Sequence, residues 1–316
     1  MISFLLQRLG LALISLLGVM ILVFAMVRLV PGDVVTNLIG LDTNITVERR
    51  EELRRLFGLD LPIQTQFAKW FGGVLQADLG SSLRTERPVL TDLALRFPVT
   101  LQLTLFALVI AIIIAVPLGV AAANNRGKWI DTFASSFALL GIAAPSFWIA
   151  ILCVLFFSLQ LRWFPPSGYA LFSEDPIGNL KSMFLPSLAL GLSLAAATTR
   201  IVRSSLLEVL MLDYTRTARA KGLTERAVVY RHAFRNALIP VVTVIGLQIG
   251  NLLGGTVIIE QIFGLPGIGR FALEGINLRD YPVVQGAVLV VAAGFVVVNV
   301  LVDVLYALID PRVRFA

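Results

Sequence analysis

One cysteine and one histidine are all that this chain of 316 residues offers to thiol, imidazole or soft-metal chemistry. Cys153 has no second cysteine to pair with, which excludes a disulfide within the chain and a thiolate metal cluster. His232 lies in a basic stretch, far in sequence from any group of acids, and cannot hold a metal by itself; its reading is structural or interfacial. Charge is scarce too: 15% of residues are Asp, Glu, Lys or Arg and 57% are apolar, where soluble domains carry about 25% and about 45 to 50%. A mean hydropathy of +0.87 excludes an ordinary soluble globule and a disordered tail. No G-x-x-x-x-G-K-S/T, H-E-x-x-H or G-x-S-x-G sequence occurs. The chain therefore cannot cradle ATP phosphates through a phosphate loop, and neither common motif for hydrolytic catalysis is present.

What the sequence does contain is length without charge. Phe97 to Asn125, Thr132 to Leu161, Asn236 to Ile259 and Tyr281 to Val302 hold no charged residue, and each is long enough for a helix to cross about 30 Å of hydrocarbon. Apolar runs predict six spans: Leu9 to Val30, Val99 to Ala123, Phe133 to Phe157, Met183 to Thr199, Leu238 to Ile259 and Val283 to Ile309. The first is too long for a signal peptide and has no A-x-A site before Pro31-Gly32-Asp33, so it is expected to remain as a helix. The fourth is short, and Leu206, Leu207 and Leu210 extend its pattern into water, toward Asp213.

Orientation follows from basic residues in short loops. Arg8, Arg126, Lys128, the eight basic residues from Arg200 to Arg235, and Arg312 and Arg314 fall on one side; Arg162, Lys181, Arg270 and Arg279 fall on the other. Both termini are accordingly expected in the cytoplasm, and the net charge of +6 reports topology rather than nucleic acid. The resulting organisation is residues 1–30 as a first transmembrane helix, 31–98 as an extracytoplasmic helical region, 99–309 as a five-helix core with a cytoplasmic loop over 200–237, and 310–316 as a tail. Within the extracytoplasmic region Val47 to Phe57 is helix-like, and Gln64 to Leu75 sets Phe67, Trp70, Phe71 and Leu75 near one face.

Polar residues inside spans mark the candidate pathway. Gly246, Gly250 and Gly254 recur every four residues, a row that lets helices approach closely, with Gln248 and Asn251 on a neighbouring arc. Two readings stand for Gln248 and Asn251: interhelical hydrogen bonding, or the lining of a translocation pathway. Asn299, Asp303, Tyr306 and Asp310 make one stripe near the cytoplasmic end of the last span, where Asp303 reads as structural or interfacial. Pro117 and Pro145 are expected to kink their spans, and Cys153 to serve as a small packing residue.

The long cytoplasmic loop carries the most specific signal. Asp213 is expected to cap a short helix, Gly222 to end it in a left-handed conformation, and Thr224 to cap a second short helix. Here the chain resembles the permease subunits of binding-protein-dependent ABC importers, whose cytoplasmic EAAxxxG segment docks on an ATPase. The matching residues are Arg216, Thr217, Ala218, Arg219, Ala220, Lys221 and Gly222, with Arg216 and Thr217 where the pattern has Glu and Ala. His232-Ala233-Phe234-Arg235-Asn236-Ala237-Leu238-Ile239-Pro240 makes the stretch similar to the dipeptide and oligopeptide group. Pro31-Gly32-Asp33, Phe57-Gly58-Leu59-Asp60 with Pro62, Asp78-Leu79-Gly80-Ser81-Ser82, Glu260 through Gly269, Asp280-Tyr281-Pro282 and Asp310-Pro311-Arg312 extend the resemblance along the chain, most like the first of the two permeases in such systems.

The resemblance implies an all-α membrane protein with six transmembrane helices of the importer permease type and a small extracytoplasmic helical region. It implies a multi-pass subunit of the bacterial or archaeal cytoplasmic membrane, with no catalytic residues, metal or cofactor of its own. Its partners would be a second homologous permease, two ATPase subunits that bind ATP and Mg, an extracytoplasmic substrate-binding protein and the lipid bilayer, with no nucleic acid. Glycine and polar rows are expected to pack against the second permease. Peptides are the implied cargo, although nickel chelates, glutathione and oligosaccharides are carried by similar permeases. Two other classes compete: an ion-coupled carrier, disfavoured by the missing relay of intramembrane carboxylates, and an intramembrane enzyme, disfavoured by the missing nucleophile and base.

Overall fold

The structure, a computed structural model, describes residues 2–29, 51 and 60–309. The described residues are mostly helical; the longest non-helical connections are 76–88, which holds one isolated antiparallel bridge between Ser81 and Pro88, and 161–175. Helix α1 is Ile2–Leu29, α2 Ile63–Leu75, α3 Val89–Asn124 and α4 Trp129–Ala143. Helix α5, Ser146–Cys153, runs on into a π-helical turn, Val154–Gln160. Then come α6, Pro176–Leu210, and α7, Asp213–Ala220. Helix α8, Glu225–Ala227, passes through a π-helical turn, Val228–Ala233, into α9, Phe234–Gly255. The last three are α10, Val257–Phe263, α11, Ile268–Leu278, and α12, Tyr281–Ile309.

Among the described residues, α3, α6, the run from Glu225 to Gly254 and α12 are long and apolar enough to cross a membrane. The α4–α5 pair makes a fifth if counted as one span, and α1 contributes a shorter apolar stretch, Gly10–Met26. The expected extension of the fourth span past Arg200 is present, ending at Leu210, and the helix also begins earlier than expected: α6 starts at Pro176, where Asp175 accepts the Gly178 N–H at 2.8 Å and Pro176 occupies the first turn.

Two expectations are corrected by geometry. The third span is not one kinked helix; it breaks at Ala144-Pro145 and turns through 102°. Proline removes a donor and crowds the preceding turn, and here the chain abandons the helix instead of bending it. The fifth span ends at Gly255, so Ile259 belongs to α10, beyond Thr256. Pro117 lies inside α3, which runs unbroken from Val89 to Asn124.

The centre of the fold is the contact between α3 and α6. Ala107, Ala111, Ala115, Gly119 and Ala123 repeat every four residues on α3, and all are buried. Small side chains let the helices approach until a Cβ at Gly119 would lie 2.7 Å from Val202 Cβ, and one at Gly191 would lie 2.8 Å from Ile110 Cγ2. In a bilayer such close van der Waals packing takes over the role that the hydrophobic effect plays in water. Leu103, Met183, Leu185, Leu252, Ile259 and Phe263 extend this core toward α9 and α10.

Two members of the α9 glycine row, Gly246 and Gly250, pack within the chain, against α12. A Cβ at Gly246 would lie 2.4 Å from Val302 Cγ2 and one at Gly250 would lie 2.4 Å from the Phe295 ring, both on α12. Helix α1 also rests on α12, where Arg8 Nε meets Asp303 Oδ2 at 3.2 Å. Asp303 is thus an anchor for the first helix, which accounts for a carboxylate at that depth. The side chains of Tyr306 and Asp310 lie outside the described residues.

On the opposite side, α2 appears where Gln64 to Leu75 predicts it. Phe67 and Trp70 reach Phe24 of α1, with ring centroids 5.1 and 5.7 Å away, whereas Leu75 is exposed. All but Glu51 of the helix expected over Val47 to Phe57 lies outside the described residues. The Asp78–Ser82 and Asp280–Pro282 segments, 198 positions apart, meet: the Ser82 hydroxyl donates to Asp280 Oδ2 at 2.5 Å and the Leu83 N–H to Oδ1 at 3.2 Å.

Candidate functional site

The segment from Leu212 to Thr224 is a strapped turn. Leu212, extended, holds the position before α7; Asp213 is the first helical residue and caps nothing with its side chain, pairing instead with Arg216 at 3.5 Å. At the other end Leu223 N–H reaches the Ala218 carbonyl (3.4 Å) and Gly222 N–H reaches that of Arg219 (2.9 Å), while Gly222 takes φ +79°. This pair of bonds around a left-handed residue is the Schellman arrangement, and glycine adopts it without the Cβ penalty. Thr224 then caps α8, its hydroxyl oxygen accepting the Ala227 N–H at 3.4 Å. The second helix is not short, as expected, but continues directly into α9, so the turn is joined rigidly to a membrane helix.

Side chains tie α7 to both neighbours. Arg219 forks onto Glu225, with Nε to Oε2 at 3.0 Å and Nη2 to Oε1 at 2.7 Å, and its Nη1 reaches the Leu210 carbonyl at the end of α6. That fork holds the Glu225 carboxyl below its ordinary range and raises the Arg219 guanidinium above its own. The buried Thr215 hydroxyl bonds the carbonyls of Leu210 and Leu212. Tyr214 receives the Asn236 amide at 2.9 Å and donates to the His232 carbonyl at 3.4 Å. Of the seven residues marked in the sequence, Ala218 is buried as part of this strapping; Arg216, Thr217, Arg219, Ala220, Lys221 and Gly222 are exposed. Arg219 is committed to Glu225, which leaves Lys221 and Gly222 at the tip.

Sequence reasoning missed the straps. Tyr214 and Asn236, or Arg219 and Glu225, are separated by no helical repeat that would announce them. It also missed the clamp above the loop: Arg203 of α6 grips Asp131 in the first turn of α4 through Nε and, at 2.9 Å, through Nη2, while Gly127 N–H donates to Asp131 Oδ2. Arg203 was legible only as a topology charge.

The structure places Gln248 halfway between its two readings. Its Oε1 accepts the Thr198 hydroxyl at 3.2 Å, an α6–α9 bond, yet the residue is only partly buried. Asn251 lies on α9 and its side chain is outside the described residues. A group the sequence reading passed over is Glu260, fully buried on α10. Its Oε1 accepts the hydroxyls of Thr100 (2.7 Å) and Thr256 (2.9 Å), and its Oε2 accepts the Arg270 N–H (2.8 Å). A Cβ at Gly267 would fall 2.2 Å from Glu260 Cδ, which explains a glycine there. The available signal was a lone acid at the end of a charge-free run. His232 and Cys153 belong to no cluster of metal-binding side chains among the described residues.

Comparison with known proteins adds to this geometry. Residues 115–315 match the family model described as binding-protein-dependent transport system inner membrane component, and residues 1–104 match the N-terminal model of the same systems. The chain is 41% identical over 337 residues, covering 99% of both chains, to the dipeptide transport system permease protein DppB of Escherichia coli K12. It is 38% identical over 335 residues, covering both chains fully, to the protein of that name in Alkalihalophilus pseudofirmus. A solved amino acid ABC transporter with histidines shares the fold, with a TM-score of 0.51 at 17% identity over 70% of this chain and 94% of that one.

Proposed function

We propose, from the premise that this chain belongs to the family of inner membrane components of binding-protein-dependent transport systems, that it forms with a second, homologous permease the membrane route for peptides. The observation that carries the cargo assignment is full-length similarity, at 38 to 41% identity, to relatives named dipeptide permeases. A soluble binding protein delivers the peptide, and two ATPase subunits, holding ATP and Mg, dock on the 216–222 turn from the cytoplasm, where both termini lie.

The strapped loop supports this mechanism. Since α7 is bonded to the end of α6 and to the start of the α8–α9 helix, displacement of its tip by a docked ATPase displaces both helices together. The Asp131–Arg203 clamp carries the motion of α6 to α4. Rigid-body rocking of such a bundle opens the route to one side of the membrane and then to the other.

The test is to reconstitute the complete complex with its binding protein and introduce Gly222→Leu. No atom lies within 4 Å of a Cβ at that site, so the local penalty is the left-handed backbone alone, about 1 to 2 kcal/mol, and the spans stay folded. Expected outcomes are weaker ATPase retention or hydrolysis separated from uptake, with Gly222→Asn closer to the parent because asparagine tolerates φ > 0. Normal retention, stimulated hydrolysis and uptake in Gly222→Leu would remove the coupling role. Mass spectrometry of the molecule carried by the binding protein tests the cargo separately.

A further inference from the structure

The break at Ala144-Pro145 leaves a row of backbone groups open. The ladder of α4 closes with Ala144 N–H on the Leu140 carbonyl (2.9 Å), and that of α5 begins with Trp148 and Ile149 N–H on the Pro145 carbonyl (3.0 and 3.2 Å). Between these bonds, the carbonyls of Gly141, Ile142, Ala143 and Ala144 and the N–H groups of Ser146 and Phe147 have no partner among the described residues. Pro145 contributes no N–H, so the Gly141 carbonyl lacks its ordinary donor in any straightened form. The chain does not cover the region: Ile142 is 50% exposed, Phe147 42% and Trp148 51%.

Depth makes this arrangement informative. Gly141 abuts Ala196 of α6, with a Cβ there 2.5 Å from Ala196 Cβ, and Asp131 meets Arg203, a charged pair that belongs at the edge of the hydrocarbon. Ten residues of α4 separate the two levels, about 15 Å, or half of the hydrocarbon thickness. The break therefore sits near mid-membrane, level with the Thr198–Gln248 hydrogen bond that begins two residues past Ala196. Unpaired backbone at that depth is not compatible with lipid, since each open group costs several kcal/mol in hydrocarbon. A second chain covering the break would have to supply a matched donor or acceptor to each of six groups, whereas water satisfies them in any geometry.

We infer that the Gly141–Phe147 break lines the aqueous transport route and presents its open carbonyls, as acceptors, to the N–H donors of the passing solute. Resting on the permease assignment, the inference adds a recognition element to it: a peptide offers such donors in its ammonium group and every amide, so main-chain acceptors suit a carrier that accepts many side chains. The two helices that flank these groups are set at 102°. Exchange of these hydrogen bonds between water and solute needs no protein side chain to move.

The experiment uses the whole complex in proteoliposomes, with Cys153→Ala to remove the native thiol and a single cysteine introduced as Ala143→Cys or Phe147→Cys. Hydrophilic methanethiosulfonate reagents should label both in the resting or the vanadate-trapped state, with rates differing about tenfold or more between the two. Pro145→Ala, which restores a donor to the Gly141 carbonyl, should lower dipeptide uptake several-fold with partner retention unchanged. Absence of labelling in both states, or crosslinking to the second permease in both, would overturn the inference, whatever the outcome for Pro145→Ala. Labelling makes no use of cargo: a break that reacts in a complex that imports no dipeptide keeps the route and refutes the peptide assignment, and an unreactive break in a dipeptide importer does the reverse.

Discussion

Replacing Glu260 tests whether a buried carboxylate holds the α10–α11 corner together. Three donors converge on it at 2.7 to 2.9 Å, and the acceptor side of the Thr100 hydroxyl receives the Ile268 N–H at 2.9 Å. A buried donor stranded by loss of its acceptor costs about 1 to 3 kcal/mol. Glu260→Ala strands three, but the two hydroxyls can rotate toward other acceptors, so the expected loss is about 3 to 5 kcal/mol rather than the full sum. Glu260→Gln retains an oxygen for the two hydroxyls and sets an amide NH2 against the Arg270 N–H, for an expected loss of about 2 to 3 kcal/mol. The assay is equilibrium unfolding of the purified chain in mixed micelles, followed by tryptophan fluorescence. A double-mutant cycle with Thr100→Val should show non-additivity of about 1 kcal/mol or more, since the two residues share one network. If Glu260→Ala stays within about 0.5 kcal/mol of the parent, or the cycle is additive, the corner is held by packing of Ile268 and Phe263 and the network reasoning fails.

Three further outcomes are expected. Gly250→Leu drives a side chain into the Phe295 ring and should destabilise the isolated chain by about 1 to 3 kcal/mol, so an effect confined to recovery of the second permease would contradict the α9–α12 assignment. In the Cys153→Ala background, a cysteine at Ser81 should react with an impermeant thiol reagent from outside and one at Thr224 only after the membrane is opened; the reverse pattern would invert the topology. Because Arg219 lowers the Glu225 carboxyl, the stabilisation from that pair is complete above the unfolded glutamate value of about 4.3 and is lost as pH falls through the lower folded value. The pair is largely exposed and worth no more than about 1 kcal/mol, so hydrogen exchange across α7 should be unchanged by Glu225→Gln beyond that margin at pH 7, and the difference should vanish in acid.

The sequence by itself determined what depends on local composition and spacing. Long charge-free runs favour membrane helices, because the backbone must satisfy itself in hydrocarbon, and that placed α3, α9 and α12 before any coordinates, while the shorter apolar run from Met183 to Thr199 placed the middle of α6. Gly222 between a helical pattern and a capping threonine was enough to define the turn, since a left-handed residue and a Schellman closure are local events. What the tertiary structure alone decided is which surfaces meet. A glycine row announces close approach and is silent on the partner, so Gly250 was open to a second permease until Phe295 was found against it. Arg203 carried a legible charge, yet its grip on Asp131 spans 72 residues, and the bonds from Thr100 to Glu260 span 160. Pro145 predicted a disturbance of its helix, but the size of it, a 102° turn in place of a kink, depended on how α5 packs against α6 and α10. Pairings of that kind depend on the relative placement of whole helices, and no periodicity along one segment encodes where another will lie.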